Sequence, residues 1–384
     1  MEKNAAVLIP CDSYETETLD AAMRQLTDRL GGLDWVKPGM RIGIKLNLCG
    51  GFKPERAATT HPAAAAALTR LLTARGASVV WGDAPGEPFS PLVVGRIYHT
   101  CRLEEPCTAS GGELNRNYES QTVQYPEAKV LKQFTLASWI AQCDAVISFC
   151  KLKAHGLVSM TAAVKNTFGI IPGTLKSELH FRYSDRADFA DLLVDLNEYL
   201  KPVWYLCDAV EIMEGNGPTQ GTPRHLGVLT GGTDPYRLDR LHAWLLGVEE
   251  SALTYLEAAK RRGLLPAEGG PDSREAAEAY RLTDFVRSGA TSSWFLPDPQ
   301  DSKIRRTLKD GLSLLLRSDP ALGEGCVGCG HCRDLCPAGA IRIEKDKAKI
   351  KRSKCVHCFC CQEFCPTGAM KVRRSFIARL IQKE

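Results

Sequence analysis

The chain lacks any apolar run approaching the roughly 18 residues that a membrane-spanning helix needs, so no helical anchor and no membrane partner are expected. Its first ten residues, Met1 to Pro10, hold too short an apolar stretch for a secretory leader, and a cytoplasmic protein is expected. A P-loop is missing, as is the C-x3-C-x2-C run of radical-SAM chemistry, and no repeat of solenoid period occurs. Disorder and collagen-like structure are excluded by a composition 44% hydrophobic and 24% charged, close to globular averages. The 384 residues accommodate two or three domains.

Cysteine is what the chain has in excess, with sixteen residues. Eight of them form two runs near the C-terminus, Cys326-Cys329-Cys332-Cys336 and Cys355-Cys358-Cys361-Cys365. The remainder, Cys11, Cys49, Cys101, Cys107, Cys143, Cys150, Cys207 and Cys360, are scattered, mostly beside strand-like apolar residues. A disulfide scaffold is short and cysteine-dense throughout, which this chain is not, so a reducing compartment follows.

The first 250 residues alternate short apolar strands, at 7–9, 41–46, 78–81, 144–149, 203–206 and 226–229, with helical periodicity at 16–30, 62–74, 188–200 and 236–246. That alternation predicts an α/β fold, a mostly parallel sheet with helices on both faces. Residues 251–320 contain no cysteine and suggest charged surface helices at 249–262 and 273–287, followed by a linker. Residues 321–373 form a small α+β module around the cysteine runs, and 374–384 a basic tail.

Both runs obey C-x2-C-x2-C-x3-C-P, the spacing of a two-cluster bacterial ferredoxin, in which three close thiolates hold one cube and the fourth crosses to the other. Two [4Fe–4S] clusters are expected, one on Cys326, Cys329, Cys332 and Cys365, the other on Cys355, Cys358, Cys361 and Cys336. Zinc sites prefer C-x2-C pairs separated by longer loops, which two triple runs capped by Cys-Pro do not match. Cys360 has no place in the motif and is expected to pack. The basic excess of residues 322–384, thirteen Lys and Arg against six Asp and Glu, offsets the negative charge of such clusters, which argues against a nucleic-acid partner.

A second signal follows strand 144–149. Lys151, Lys153 and His155 leave its expected carboxyl end, then Lys165, Asn166, Lys176 and His180 follow in a stretch rich in glycine and short of carboxylates. Ligands of doubly wound sheets bind outside the carboxyl ends of the strands, so these residues predict a cationic pocket for a small anion, with His155, Lys165 and His180 as catalytic candidates. Lys45 and Asn47, at another strand end, and Glu214 and Asn216, in the segment 208–218, are candidate substrate contacts. Gly215, Gly217 and Gly221 approach a dinucleotide fingerprint, but the last spacing is one residue too long, and Pro218 and Pro223 would disrupt the helix start it requires.

The blocks Lys151-Leu152-Lys153-Ala154-His155, Ala163-Val164-Lys165-Asn166-Thr167-Phe168-Gly169, Pro172-Gly173, Lys176, His180 and Glu214-Gly215-Asn216-Gly217-Pro218 resemble the signature of the DUF362 family. Lys45-Leu46-Asn47, Thr60-His61-Pro62 and Gly82-Asp83 fit its earlier blocks, and the C-terminal part resembles dicluster ferredoxins, a fusion found in many anaerobic bacteria. The resemblance implies an iron–sulfur protein of redox role. A fainter similarity, in strand-end lysines and histidines, is to the lactate racemase N-terminal domain.

The leading expectation is an oxidoreductase that exchanges electrons with an external low-potential donor or acceptor and acts on an anionic substrate or cofactor in the α/β pocket. Two alternatives stand beside it: a non-catalytic carrier or activator that docks a partner metalloprotein, and an isomerase or racemase with a structural ferredoxin module. A buried, concave lysine cluster would favour catalysis, and a flat charged face docking.

Overall fold

The computed structural model describes residues 6–266, 273–288 and 318–374. Parts of the expected 251–320 linker and all but the first residue of the expected basic tail lie outside them. The strands of the first domain are β1 (Val7–Pro10), β2 (Arg41–Lys45), β3 (Ser78–Gly82), β4 (Gly112–Leu114), β5 (Ser120–Gln124), β6 (Gln133–Ala137), β7 (Ala145–His155), β8 (Ser159–Thr161), β9 (Trp204–Glu214) and β10 (Thr222–Gly232). Eight of them make one sheet in the order β1-β10-β9-β7-β2-β3-β4, with β8 paired to β7. The run β9-β7-β2-β3-β4 is parallel, whereas β1 and β10 join antiparallel. β5 and β6 form a separate hairpin.

Alternation along the strands sends side chains to two cores. On β9, Trp204, Leu206 and Val210 join the core that also holds Leu19, Met23 and Leu68, from helices Thr16–Arg29 and Pro62–Thr73. Tyr205, Cys207 and Ala209 join the opposite core, with Phe189, Leu193 and Leu241 from helices Arg186–Leu200 and Pro235–Leu245. Helices therefore cover both faces, as expected. Their starts follow from local chemistry: the Asp185 carboxylate accepts from Ala187 N at 2.8 Å, and Asp234 accepts from Tyr236 N at 2.8 Å just before Pro235 at the first helical position.

Two expectations are corrected and one is made more specific. β7 and β9 each run for eleven residues, well past the apolar segments at 144–149 and 203–206; on β7 the lysines that follow are satisfied internally and do not end the strand, and on β9 Asp208 pairs with one of them. The mostly parallel sheet holds, with segments 203–206 and 226–229 adding an antiparallel hairpin toward one edge. The expected helix over 273–287 is a helical turn at Arg274–Ala277 followed by a 3₁₀ turn at Glu278–Tyr280, after which Leu282 N donates to Leu245 O at 2.7 Å and draws the chain away.

The C-terminal module pairs β11 (Ser318–Leu322) with β14 (Met370–Arg374), and β12 (Ile341–Glu344) with β13 (Lys347–Ile350), around short helices His331–Asp334 and Cys360–Glu363. It packs on the first domain through side chains. Thr219 Oγ1 donates to Glu363 O at 2.8 Å, Gln220 Nε2 to Cys365 O at 3.1 Å, and Gln362 Nε2 to Asn216 O at 3.2 Å. Gly86 leaves room for the Phe364 ring, with which a Cβ there would collide. Among the described residues no helix is long and apolar enough to cross a membrane.

Candidate functional site

A cavity of about 50 Å³ opens beyond the carboxyl ends of β2 and β3. Lys45, Asn47 and Cys49 come from the end of β2 and the chain after it, Asp83 and Gly86 follow β3, and Lys153 comes from the extension of β7. Lys165 and Asn166 stand on helix Ala163–Asn166, with Phe168 just after it, and Lys176 and His180 on helix Leu175–Arg182. Glu363 and Phe364, from the C-terminal module, complete the wall.

The four cavity lysines differ in what holds them. An ammonium has three N–H donors. Lys45 uses all three, to Leu46 O at 2.7 Å, Asn166 Oδ1 at 2.8 Å and Asp83 Oδ1 at 2.9 Å. Lys153 donates to Ala58 O at 2.7 Å and contacts Cys49 Sγ at 3.5 Å. Lys176 donates to the carbonyls of Ala84 and Ile171. Lys165 Nζ lies 4.6 Å from the centre of the Phe168 ring and makes no hydrogen bond among the described residues. With Lys45 and Asp83 paired, Lys153, Lys165 and Lys176 face the single carboxylate of Glu363, so the cavity suits an anion.

Burial sets the protonation states. It pulls Lys176 down to about 7 and lowers Lys165 as well, with Lys153 adding to the fall at Lys165 and Glu363 opposing it. Burial and the neighbouring lysines hold His155 and His180 well below the usual histidine range, so both rings are neutral. Leu157 N donates to His155 Nδ1 at 3.0 Å, which puts the ring proton on Nε2, 3.9 Å from Glu363 Oε2. His180 stacks on Phe189 at 4.4 Å and makes no hydrogen bond among the described residues.

The second constellation is the thiols. Cys326, Cys329, Cys332 and Cys365 line one small apolar cavity with Leu322, Ile343 and Met370. Burial, then the neighbouring thiols Cys358, Cys355, Cys332 and Cys336, push the Cys361 thiol up. All sixteen cysteines are free of disulfides. Thiols in apolar surroundings, as at Cys326, Cys329, Cys332 and Cys365, are the donor type of an iron–sulfur cluster. Cys360 is buried beside Cys358.

Residues 42–243 match the domain of unknown function DUF362. The chain belongs to the DUF362 family. Residues 325–369 match a 4Fe–4S dicluster domain, which makes the C-terminal module an iron–sulfur electron-transfer unit. A thylakoid-associated protein of Synechocystis sp. is 30% identical over 310 residues, which cover 79% of this chain and 91% of that protein. Among solved structures, lactate racemase apoprotein from Thermoanaerobacterium thermosaccharolyticum is 8% identical with a TM-score of 0.37, covering 61% of this chain and 55% of that one. A protein from Thermotoga maritima is 13% identical with a TM-score of 0.34, covering 67% of this chain and 61% of that one.

Within the DUF362 domain the structure brings Lys45, Asn47, Lys153, Lys165, Asn166, Lys176 and His180 to one cavity, and leaves four other predicted residues outside it. Lys151 is 1% exposed and pairs with Asp208 at 2.9 Å and with Tyr14 OH at 2.7 Å, so its charge is neutralised within the fold. His155 sits behind Glu363 rather than on the cavity wall. Glu214 accepts from Arg224 at 3.1 Å and from Val286 N at 3.2 Å, and Asn216 serves the junction with the C-terminal module. The strand-end motif Gly82-Asp83 carries the signal for Asp83, which also accepts from Leu48 N at 2.6 Å. No sequence signal places Glu363 or Phe364 in this site.

Proposed function

We propose that the chain is an oxidoreductase whose two [4Fe–4S] clusters exchange low-potential electrons, one at a time, between an external redox partner and a small anion in the DUF362 cavity. The observation that carries this reading is that Glu363 and Phe364, which stand in the chain between the thiols Cys361 and Cys365, form part of the cavity wall. Cys326, Cys329, Cys332 and Cys365 would hold one cluster, and Cys355, Cys358, Cys361 and Cys336 the other. Lys153 and Lys176 bind the anion with the N–H groups left free by the fold, Lys165 stands on the same wall, and His180 delivers or takes a proton at the ligand. His155 stands behind Glu363, with Nε2 at 3.9 Å from Oε2. The burial of these lysines favours a catalytic cavity over a flat docking face: Lys153 is 1% exposed, and Lys165 and Lys176 are each 8% exposed. The reading keeps the protein in the reducing cytoplasm, where its thiols stay reduced.

Anaerobically purified protein is expected to carry about eight irons and eight labile sulfides per chain. The spectrum of its reduced clusters should shift when a small oxyanion such as glycolate is added, and Lys153→Ala should remove the shift without changing the iron content. Two zincs with no sulfide, or cluster spectra indifferent to every small anion, would overturn the reading.

A further inference from the structure

The donor count singles out Lys165. Lys45 has no free N–H, and Lys153 and Lys176 are each held by two partners, whereas Lys165 has none. No carboxylate pairs with it within ion-pair distance among the described residues, and it lies over the face of Phe168. A buried amine with no hydrogen-bond acceptor and no carboxylate in contact is poised to act as a nucleophile, because no contact in the fold needs its proton. Burial and Lys153 favour the neutral amine there, while Glu363 and Cys360 oppose them.

Around Lys165 the cavity supplies the remaining parts of a carbonyl site. The spare N–H groups of Lys153 and Lys176 can hold a carboxylate. The Thr161 hydroxyl lines the same cavity without a hydrogen-bond partner, as does the His180 ring, and either can pass protons. A volume of about 50 Å³ admits only a small molecule.

We propose that the Lys165 amine forms a reversible imine with the carbonyl carbon of a small 2-oxo carboxylate held in this cavity. The C–N bond forms as the carbonyl C–O bond breaks, the oxygen leaves as water with both amine protons, and no electrons are exchanged. The proposal rests on the reading of the cavity as an anion site and adds a covalent step to it.

The experiment is imine trapping on the full-length, cluster-loaded protein. Glyoxylate and cyanoborohydride are added, and the digest is examined by mass spectrometry for carboxymethylated lysine. Modification of Lys165 should exceed that of any other lysine by about ten-fold, excess glycolate, which has no carbonyl, should suppress it, and Lys165→Arg should abolish it with cluster absorbance unchanged. Labelling spread evenly over surface lysines, or no label at Lys165 while calorimetry shows glycolate bound, overturns the imine and leaves the anion site standing. Absence of both glycolate binding and label overturns both.

Discussion

Lys176 gives the cavity a pH dependence. Its two acceptors are backbone carbonyls, which a neutral amine serves as well as an ammonium. Burial brings it to about 7, with Asp83 and Glu363 opposing the fall and Lys45 and Lys165 adding to it. The folded value lies below the unfolded one of about 10.4, so between these values the unfolded chain binds more protons, and the contribution of Lys176 to stability grows as pH rises. Anion binding runs the other way, since it needs the charged form. Affinity for glycolate, measured by calorimetry, is expected to fall between about pH 6 and about pH 8.5, and Lys176→Met should flatten that slope. Lys45 has a different role, because its pair with Asp83 is fully buried. Asp83→Ala leaves that ammonium uncompensated and should cost about 3–5 kcal/mol in urea unfolding. Replacing Lys45 and Asp83 together by Met and Leu should recover most of the loss.

The elements explain what the sequence shows and what it hides. The cysteine runs are legible because cluster ligands must be close in the chain, so their spacing is itself the geometry. The lysines of helices Ala163–Asn166 and Leu175–Arg182 are legible as a cluster because both helices pack at the same strand ends. Lys151 misleads because its partner Asp208 lies on the neighbouring strand β9, at a register the sequence does not print. The β5–β6 hairpin is missed because β5, Ser-Gln-Thr-Val-Gln, buries little and carries only one apolar residue. For the clusters, the proposed crossing of the fourth ligand makes a specific demand. Cys336→Ala should remove about half of the iron, and spectroscopy should show that the loss falls on the cluster of Cys355, Cys358 and Cys361 while that of Cys326, Cys329 and Cys332 survives.

Across the whole molecule, the two domains meet on side-chain contacts that hold Phe364 against Gly86. A methyl group on Gly86 would displace that ring. Gly86→Ala is therefore expected to raise the protease susceptibility of the C-terminal module and to weaken glycolate binding, with iron content unchanged. A fold class read from alternating strands and helices does not reveal such a junction, because it depends on residues far apart in the chain.

The wall formed by Glu363 and Phe364 also sets an order of assembly. Glu363 ends the short helix Cys360–Glu363 and Phe364 follows it, between Cys361 and Cys365, and metal loading of such a segment is coupled to its folding. A newly made chain without iron would carry the lysines but not the closed chamber. It would neither capture nor sequester the small anion, so ligand occupancy would itself report maturation. In an iron-starved cell the immature pool would then be silent rather than harmful, with the metabolite left free for other proteins. Chelator-stripped protein should bind glycolate far more weakly than the loaded form, and rebuilding the clusters should restore binding.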